Sequence, residues 1–167
     1  TKVGYGSLTL AGSNSYTGGT TLAAGVLVAG TENALGTAGT IALVGGTLRY
    51  AYAPTVDLSA RFAPLLPGSN ATIDTGVYSL SYASALSGTG NLTKTGAGSL
   101  FLSGANAFAG TLSVLAGAVS VGTGGTQGSL DADVFNNALV RLDRSDAWTY
   151  SGALSGNGTF RKTGGAL

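Results

Sequence analysis

The chain has 167 residues, of which Gly, Ala, Thr, Ser and Asn make up 100, while only 9% are charged and the net charge is +1. With no His and no Cys, zinc sites, thiol nucleophiles and imidazole triads are excluded, and the near-neutral balance offers no field to attract nucleic acid. Apolar residues are 44% of the chain, enough for a core; no apolar run reaches the roughly 18 residues a spanning helix needs, and irregular Gly with three Pro excludes collagen.

In chain order, the first predicted strand is Ser7–Ala11, whose alternation sends Leu8 and Leu10 to one face. Thr47–Tyr52 reads as another, with Tyr50 and Tyr52 on one face. Residues 53–77 hold all three prolines, Pro54, Pro64 and Pro67, and read as an irregular excursion, because Pro donates nothing to a ladder. It is either an extra coil carrying a protruding loop or a single long loop. Val77–Tyr82, Ser99–Ser103 and Val140–Asp143 return to alternation, and Gly pairs and Asn-Gly or Gly-Asn steps separate the strands. No window holds a helical apolar period over three turns. The absence of an initiator Met and of a signal-like start reads as a piece of a longer protein.

Internal repetition organises these strands. Residues 2–30 align without gaps on 94–122, pairing Lys2 with Lys94, Gly4 with Gly96, Gly6 with Gly98, Leu8 with Leu100 and Leu10 with Leu102. The register continues through Gly12 and Gly104, Asn14 and Asn106, Tyr16 and Phe108, Gly18 and Gly110, Gly25 and Gly117, and Gly30 and Gly122. A partial third copy occupies 153–167, with Lys162 at the lysine position. The offsets of 92 and 68 residues differ by 24, close to one coil of three strands of about five residues and three turns of about three. Strands this short, with no helical crossover, predict a solenoid of roughly seven coils in which equivalent residues stack, Leu on Leu and Asn on Asn. A β-sandwich is the competing fold.

The segment Leu92-Thr-Lys-Thr-Gly-Ala-Gly-Ser-Leu-Phe-Leu-Ser-Gly-Ala-Asn-Ala-Phe-Ala-Gly110, with Gly6–Leu27 in the first copy, resembles the autotransporter-associated β-strand repeat, also called the passenger-associated transport repeat. That resemblance implies a right-handed parallel β-helix, residues 1–167 forming one segment of a bacterial type V autotransporter passenger, secreted or held at the cell surface. It implies a non-enzymatic stalk that assists secretion across the outer membrane by folding coil by coil. The partners expected are adjacent coils of the full-length passenger, with end-to-end self-association of cut ends; no cofactor and no nucleic acid are expected, and no host ligand is named.

Three features compete with that reading. Asp131, Asp133, Arg141, Asp143, Arg144 and Asp146 form the one charge-dense stretch, read as a solvated turn with surface ion pairs; paired carboxylates at Asp131 and Asp133 would instead suit a polysaccharide-degrading enzyme or a Ca²⁺ site. Leu80 and Tyr82 map onto Trp148 and Tyr150, which predicts a short aromatic stack; an exposed row could hold sugar rings in an adhesin. Lys2, Lys94 and Lys162 are too far apart to touch and read as solvated turn residues.

Overall fold

Apolar residues alternate with small polar ones over two to five residues, and Gly-containing turns stop each stretch, so no strand among the described residues exceeds five residues. The computed structural model describes residues 1–165; positions 166 and 167, the end of the third copy, lie outside the described residues. The strands are β1 (Ser7–Leu10), β2 (Thr20–Leu22), β3 (Val26–Ala29), β4 (Ile41–Leu43), β5 (Thr47–Tyr50) and β6 (Asn70–Asp74). They continue as β7 (Leu80–Tyr82), β8 (Ser87–Gly88), β9 (Asn91–Thr95), β10 (Ser99–Leu102), β11 (Ala105–Phe108) and β12 (Thr111–Val114). The last six are β13 (Ala118–Val121), β14 (Ser129–Leu130), β15 (Asp133–Asn136), β16 (Leu139–Asp143), β17 (Leu154–Ser155) and β18 (Thr159–Thr163).

Strands pair in parallel with their equivalents one coil earlier and one coil later, which builds a three-sided β-helix. The first side carries β1-β3-β5-β6-β9-β12-β15-β17, and the second carries β7-β10-β13-β16-β18. The third carries β2-β4 and β8-β11-β14, continued between them by the bridges Ile41 to Phe62 and Leu65 to Gly88. The eight rungs of the first side make about seven turns. Successive rungs lie from 19 residues apart (Ser7 to Val26) to 25 apart (Thr47 to Thr72), with steps of 20 to 22 elsewhere. Most coils are therefore shorter than the expected 24, because their strands run to four or five residues and many turns use only two.

Inward columns form the core. On the first side Leu8, Leu27, Leu48 and Ile73 follow one another in register, and beside them run Ala71, Leu92, Leu112 and Val134. Outward positions are small and polar: Thr47, Thr72, Thr93 and Ser113 stand one above another. Asn91 donates to the Asn70 amide oxygen at 2.9 Å, an amide ladder between coils. Gly98 is required by close approach, since a Cβ there would fall on the Tyr78 carbonyl.

Residues 53–77 stay stitched to both neighbouring coils. The Asp57 carboxylate accepts from the Ala83 N–H at 2.8 Å, and a 3₁₀ turn at Ser59–Arg61 follows. Arg61 then donates to the carbonyls of Leu35, Gly36, Ala38 and Gly39 at 2.6 to 2.9 Å.

Burial depends on having a coil on either side. Leu100 and Phe108 are 0% exposed, whereas their first-copy equivalents Leu8 and Tyr16 are 43% and 37% exposed. The first-copy residues line a hollow beside the first coil, together with Leu10 and Leu27.

Candidate functional site

The recurring lysine is the feature that sequence reasoning misread. In β9, Leu92 and Lys94 share the inward parity of the strand, and Lys94 takes a core position in register with Ile73 and Val114. It is 0% exposed. Its methylene stem packs as an apolar side chain would, and its ammonium reaches the corner after the strand. There it donates to the carbonyls of Thr95 at 2.8 Å and Gly96 at 2.9 Å, and to Ala116, one coil further on, at 3.1 Å. Burial pushes the ammonium pKa down to about 8, opposed by the nearby Asp74 carboxylate.

The same arrangement recurs in the other copies. Lys2 donates to Val3, Gly4 and Ala24 at 2.9, 2.6 and 3.1 Å. Lys162 donates to Thr163 and Gly164 at 2.7 and 3.4 Å, and to Arg144, one coil earlier, at 2.5 Å. Gly4, Gly96 and Gly164, whose carbonyls take the ammonium, have φ of 73°, 80° and 84°. Only Gly adopts that left-handed turn without strain. All three ammonium groups are held by turn carbonyls, but only Lys94 is buried; the expectation of a solvated turn residue fails there, while Lys2 is half-buried and Lys162 exposed. The clue at Lys94 was its parity with the core residue Leu92.

Asparagine ties the corner two strands later. Asn106 is 0% exposed; its amide donates to Gly104 at 2.9 Å and Ser129 at 3.1 Å and accepts from the Leu86 N–H at 3.0 Å. Asn14 repeats the donor half, to Gly12 at 3.3 Å and Ala34 at 2.8 Å. In the first two copies, Lys and Asn together link neighbouring coils through backbone carbonyls.

The copies do not stack on one another. Lys2 pairs with Leu22 on the third side, Lys94 lies in β9 on the first, and Lys162 lies in β18 on the second. Since the chain runs third side, first side, second side, each copy starts one side further round than the last. The offset of 92 residues is four coils and one side, and that of 68 is three coils and one side.

One coil before Lys94, a second polar group reinforces the joint between β5 and β6. Arg49 donates to Asp74 at 2.6 Å, and the other Asp74 oxygen accepts from the Gly76 N–H at 2.9 Å. Burial pulls the Asp74 carboxyl pKa upward, but the Gly76 N–H, Arg49 and Lys94 outweigh it and hold the carboxyl below its usual value.

The other sequence candidates separate. Arg144 forks onto Asp146 at 2.9 and 2.7 Å, donates to the Gly128 carbonyl at 2.6 Å and lies 5.4 Å from the Trp148 ring. Asp131 lies in the turn before β15, and the Asp133 carboxylate accepts from the Ala153 N–H at 2.8 Å; the two are not paired on one strand face. The expected stack of Leu80 and Tyr82 on Trp148 and Tyr150 is also absent. Tyr82 belongs to the second side, whereas Trp148 and Tyr150 follow β16, so three coils as well as a one-side shift separate them. Tyr82 instead meets Phe62 edge-on at 5.2 Å and shares a hydroxyl hydrogen bond of 3.1 Å with Tyr50, both tyrosines being buried. A cleft of about 120 Å³ opens between Pro54–Asp57 and Ser79–Tyr82.

Comparison with known proteins agrees with the repeat. The family profile described as passenger-associated-transport-repeat matches residues 1–29 and 92–121. Over 162 residues, 96% of this chain, the sequence is 37% identical to the Adhesin BmaC autotransporter of Brucella suis biovar 1 (strain 1330). The chain spans about 5% of that relative's length. No solved structure matches it significantly.

Proposed function

We propose that the chain is a non-enzymatic stalk segment that helps carry an autotransporter passenger across the outer membrane to the cell surface, its residues 1–29 and 92–121 matching the passenger-associated-transport-repeat profile. One observation carries this reading: coils are held by parallel pairing to their immediate neighbours. A solenoid of that kind can lengthen one coil at a time as chain emerges, and each finished coil is too wide to slip back through a narrow pore. Small uncharged side chains, with 9% of residues charged, keep the threading chain slender. In a passenger carrying this segment, in-frame deletion of residues 2–122 should sharply reduce the amount displayed at the surface. Unchanged display would overturn the proposal.

A second reading, adhesion, draws on the relative's printed name and on the cleft beside Pro54–Asp57. Replacing 54–70 with a short turn would abolish attachment and spare display if this segment binds a surface molecule; a stalk would keep both. Turnover of acidic polysaccharide that disappears on Asp131→Asn or Asp133→Asn substitution would contradict the non-enzymatic reading.

A further inference from the structure

We infer that the open edge of β7, in the cleft beside Pro54–Asp57, is a strand-addition site for an extended peptide of another protein, one in which small residues flank a basic one. This rests on the adhesion reading above and gives the partner its chemistry. The first side holds four rungs, β1, β3, β5 and β6, before the second side begins at β7, which pairs with β10 alone. A sheet edge is thereby left inside the helix, away from both chain ends. In the coil before it, the place of a strand is taken by residues 51–61, which hold a 3₁₀ turn and no strand; Pro54 among them has no N–H to offer a ladder.

Hydrogen bonding separates the covered part of that edge from the open part. Ser103 donates to the Tyr82 carbonyl, and backbone groups alternate in direction along a parallel strand. Leu80 and Tyr82 therefore turn their N–H and C=O groups to β10, and Ser81 turns its own to the cleft. The next two amides are capped, Ala83 by the Asp57 carboxylate and Ser84 by the Ser59 hydroxyl, each at 2.8 Å. Across the cleft, Thr55 and Val56 give their N–H groups to the Glu32 carboxylate instead. The Ser81 backbone groups meet no partner among the described residues, and such a pair on a strand edge is what strand addition recognises.

Size and charge select the occupant. A cleft of about 120 Å³ admits a single strand of small residues, whereas the edge of a second β-helix would drive a whole coil into Pro54–Asp57. A residue opposite Ser81 points outward with it, and its two neighbours point inward. Inward, Tyr50 and Tyr82 close the core through their 3.1 Å hydroxyl contact, which leaves room for Gly, Ala or Ser. Outward lies Val56, 54% exposed, with the Asp57 and Glu32 carboxylates close by and no Lys or Arg among the lining residues. A lysine there lays its stem on Val56 and turns its ammonium to the carboxylates.

The probe is the peptide acetyl-Gly-Ala-Lys-Ala-Gly-amide, added to the purified 167-residue chain and followed by NMR. In the free chain the Ser81 amide should exchange at least about a hundredfold faster than that of Ser103, and saturating peptide should slow it about tenfold or more. A Ser81 amide already protected in the free chain, or unaffected by peptide, overturns the inference. Methylating the peptide nitrogens of Lys and of the following Ala, which donate to Ser81 in one strand direction or the other, should weaken binding at least about tenfold. Unchanged affinity would leave side-chain contact alone and overturn it too. Ser81→Pro removes the donor from an edge position that tolerates Pro; it should abolish binding while Ser103 keeps its protection, and retained binding counts against the site. Where that variant does not fold, the methylated peptide decides. A dimer in sedimentation that Ser81→Pro dissolves would make the occupant a second copy and overturn the choice of partner. Attachment lost on replacing 54–70 but kept by Ser81→Pro would spare the adhesion reading and sink strand addition. Peptide binding at Ser81 with attachment unmoved by either change would sink adhesion alone.

Discussion

Leu8 and Leu100 occupy the same repeat position, each between the same Gly-Ser and Leu neighbours in sequence parity, yet one is 43% exposed and the other 0% exposed. Truncating each to Ala isolates the contribution of neighbouring coils from that of local sequence. At Leu100 the lost carbon amounts to about 2.4 kcal/mol of transfer energy, at ~0.8 kcal/mol per buried methylene and about three such groups. Leu100 sits between Leu80 and Val119 on adjacent coils, so collapse is limited; an unfilled ~40 Å³ adds about 1 kcal/mol at ~24 cal/mol per Å³. The expected cost is about 3.4 kcal/mol. At Leu8 the 43% exposure scales the transfer part to about 1.4 kcal/mol, and no closed cavity forms. The two variants should differ by about 2 kcal/mol, close to 30-fold in the unfolding constant. Native-state hydrogen exchange at the amides of Val119 and Leu27, one coil beyond each Leu, reads the two losses separately even where unfolding is not all-or-none. Equal losses, or a larger one at Leu8, would refute the idea that coil neighbours decide burial here.

Alkali should unfold the chain through its buried phenols. Burial holds the Tyr50 and Tyr82 pKa values well above the usual value and moves Tyr52 and Tyr150 to about 12; the unfolded chain ionises near 10, so the stability they contribute is complete below that pH and is lost as pH climbs towards the folded values. Phenolate absorbance should thus rise in a late step coincident with loss of the far-ultraviolet β signal, and titration of every tyrosine in one early step with the fold intact would contradict this. Acid acts at Asp74, whose folded pKa is depressed: its contribution is present above the unfolded value near 3.9 and disappears as pH falls through the folded one. Arg49→Met should raise the Asp74 carboxyl pKa measured by NMR, with a stability loss of about 1 kcal/mol or less because the Arg49 side chain is 51% exposed; an unmoved pKa would remove Arg49 from the account. Gly98→Ala places a methyl on the Tyr78 carbonyl and should destabilise the chain by more than about 3 kcal/mol, lowering its thermal midpoint, while Gly125→Ala, with open space around it, should change stability by about 0.5 kcal/mol or less. Similar midpoints for the two glycine variants would show that the coils are not packed as closely as described.

Alternation and repetition made much of this fold legible in advance. Leu100 and Leu102 point inward as their parity required, and the offset copies of 29 residues signalled a solenoid. Three things were hidden, each for a physical reason. Coil length depends on whether a turn takes two residues or three, which Gly alone does not state, so the phase of the copies around the axis stayed out of reach and Tyr82 was stacked on the wrong partners. The inward lysine was hidden by the usual preference of ammonium groups for water; only its shared parity with Leu92 revealed it. The unequal burial of Leu8 and Leu100 was hidden because identical local sequences have identical patterns, while exposure is set by whatever coil lies above.

The one-side advance of the copies also bears on how such a rod carries load. A column stapled along a single flank would be stiff in one plane and hinge in another. Here the fastened corners fall at Lys2, Lys94 and Lys162 on three different flanks, within a chain of 167 residues. Resistance to bending is therefore shared around the axis, with successive fastened corners three to four coils apart and each on a different flank.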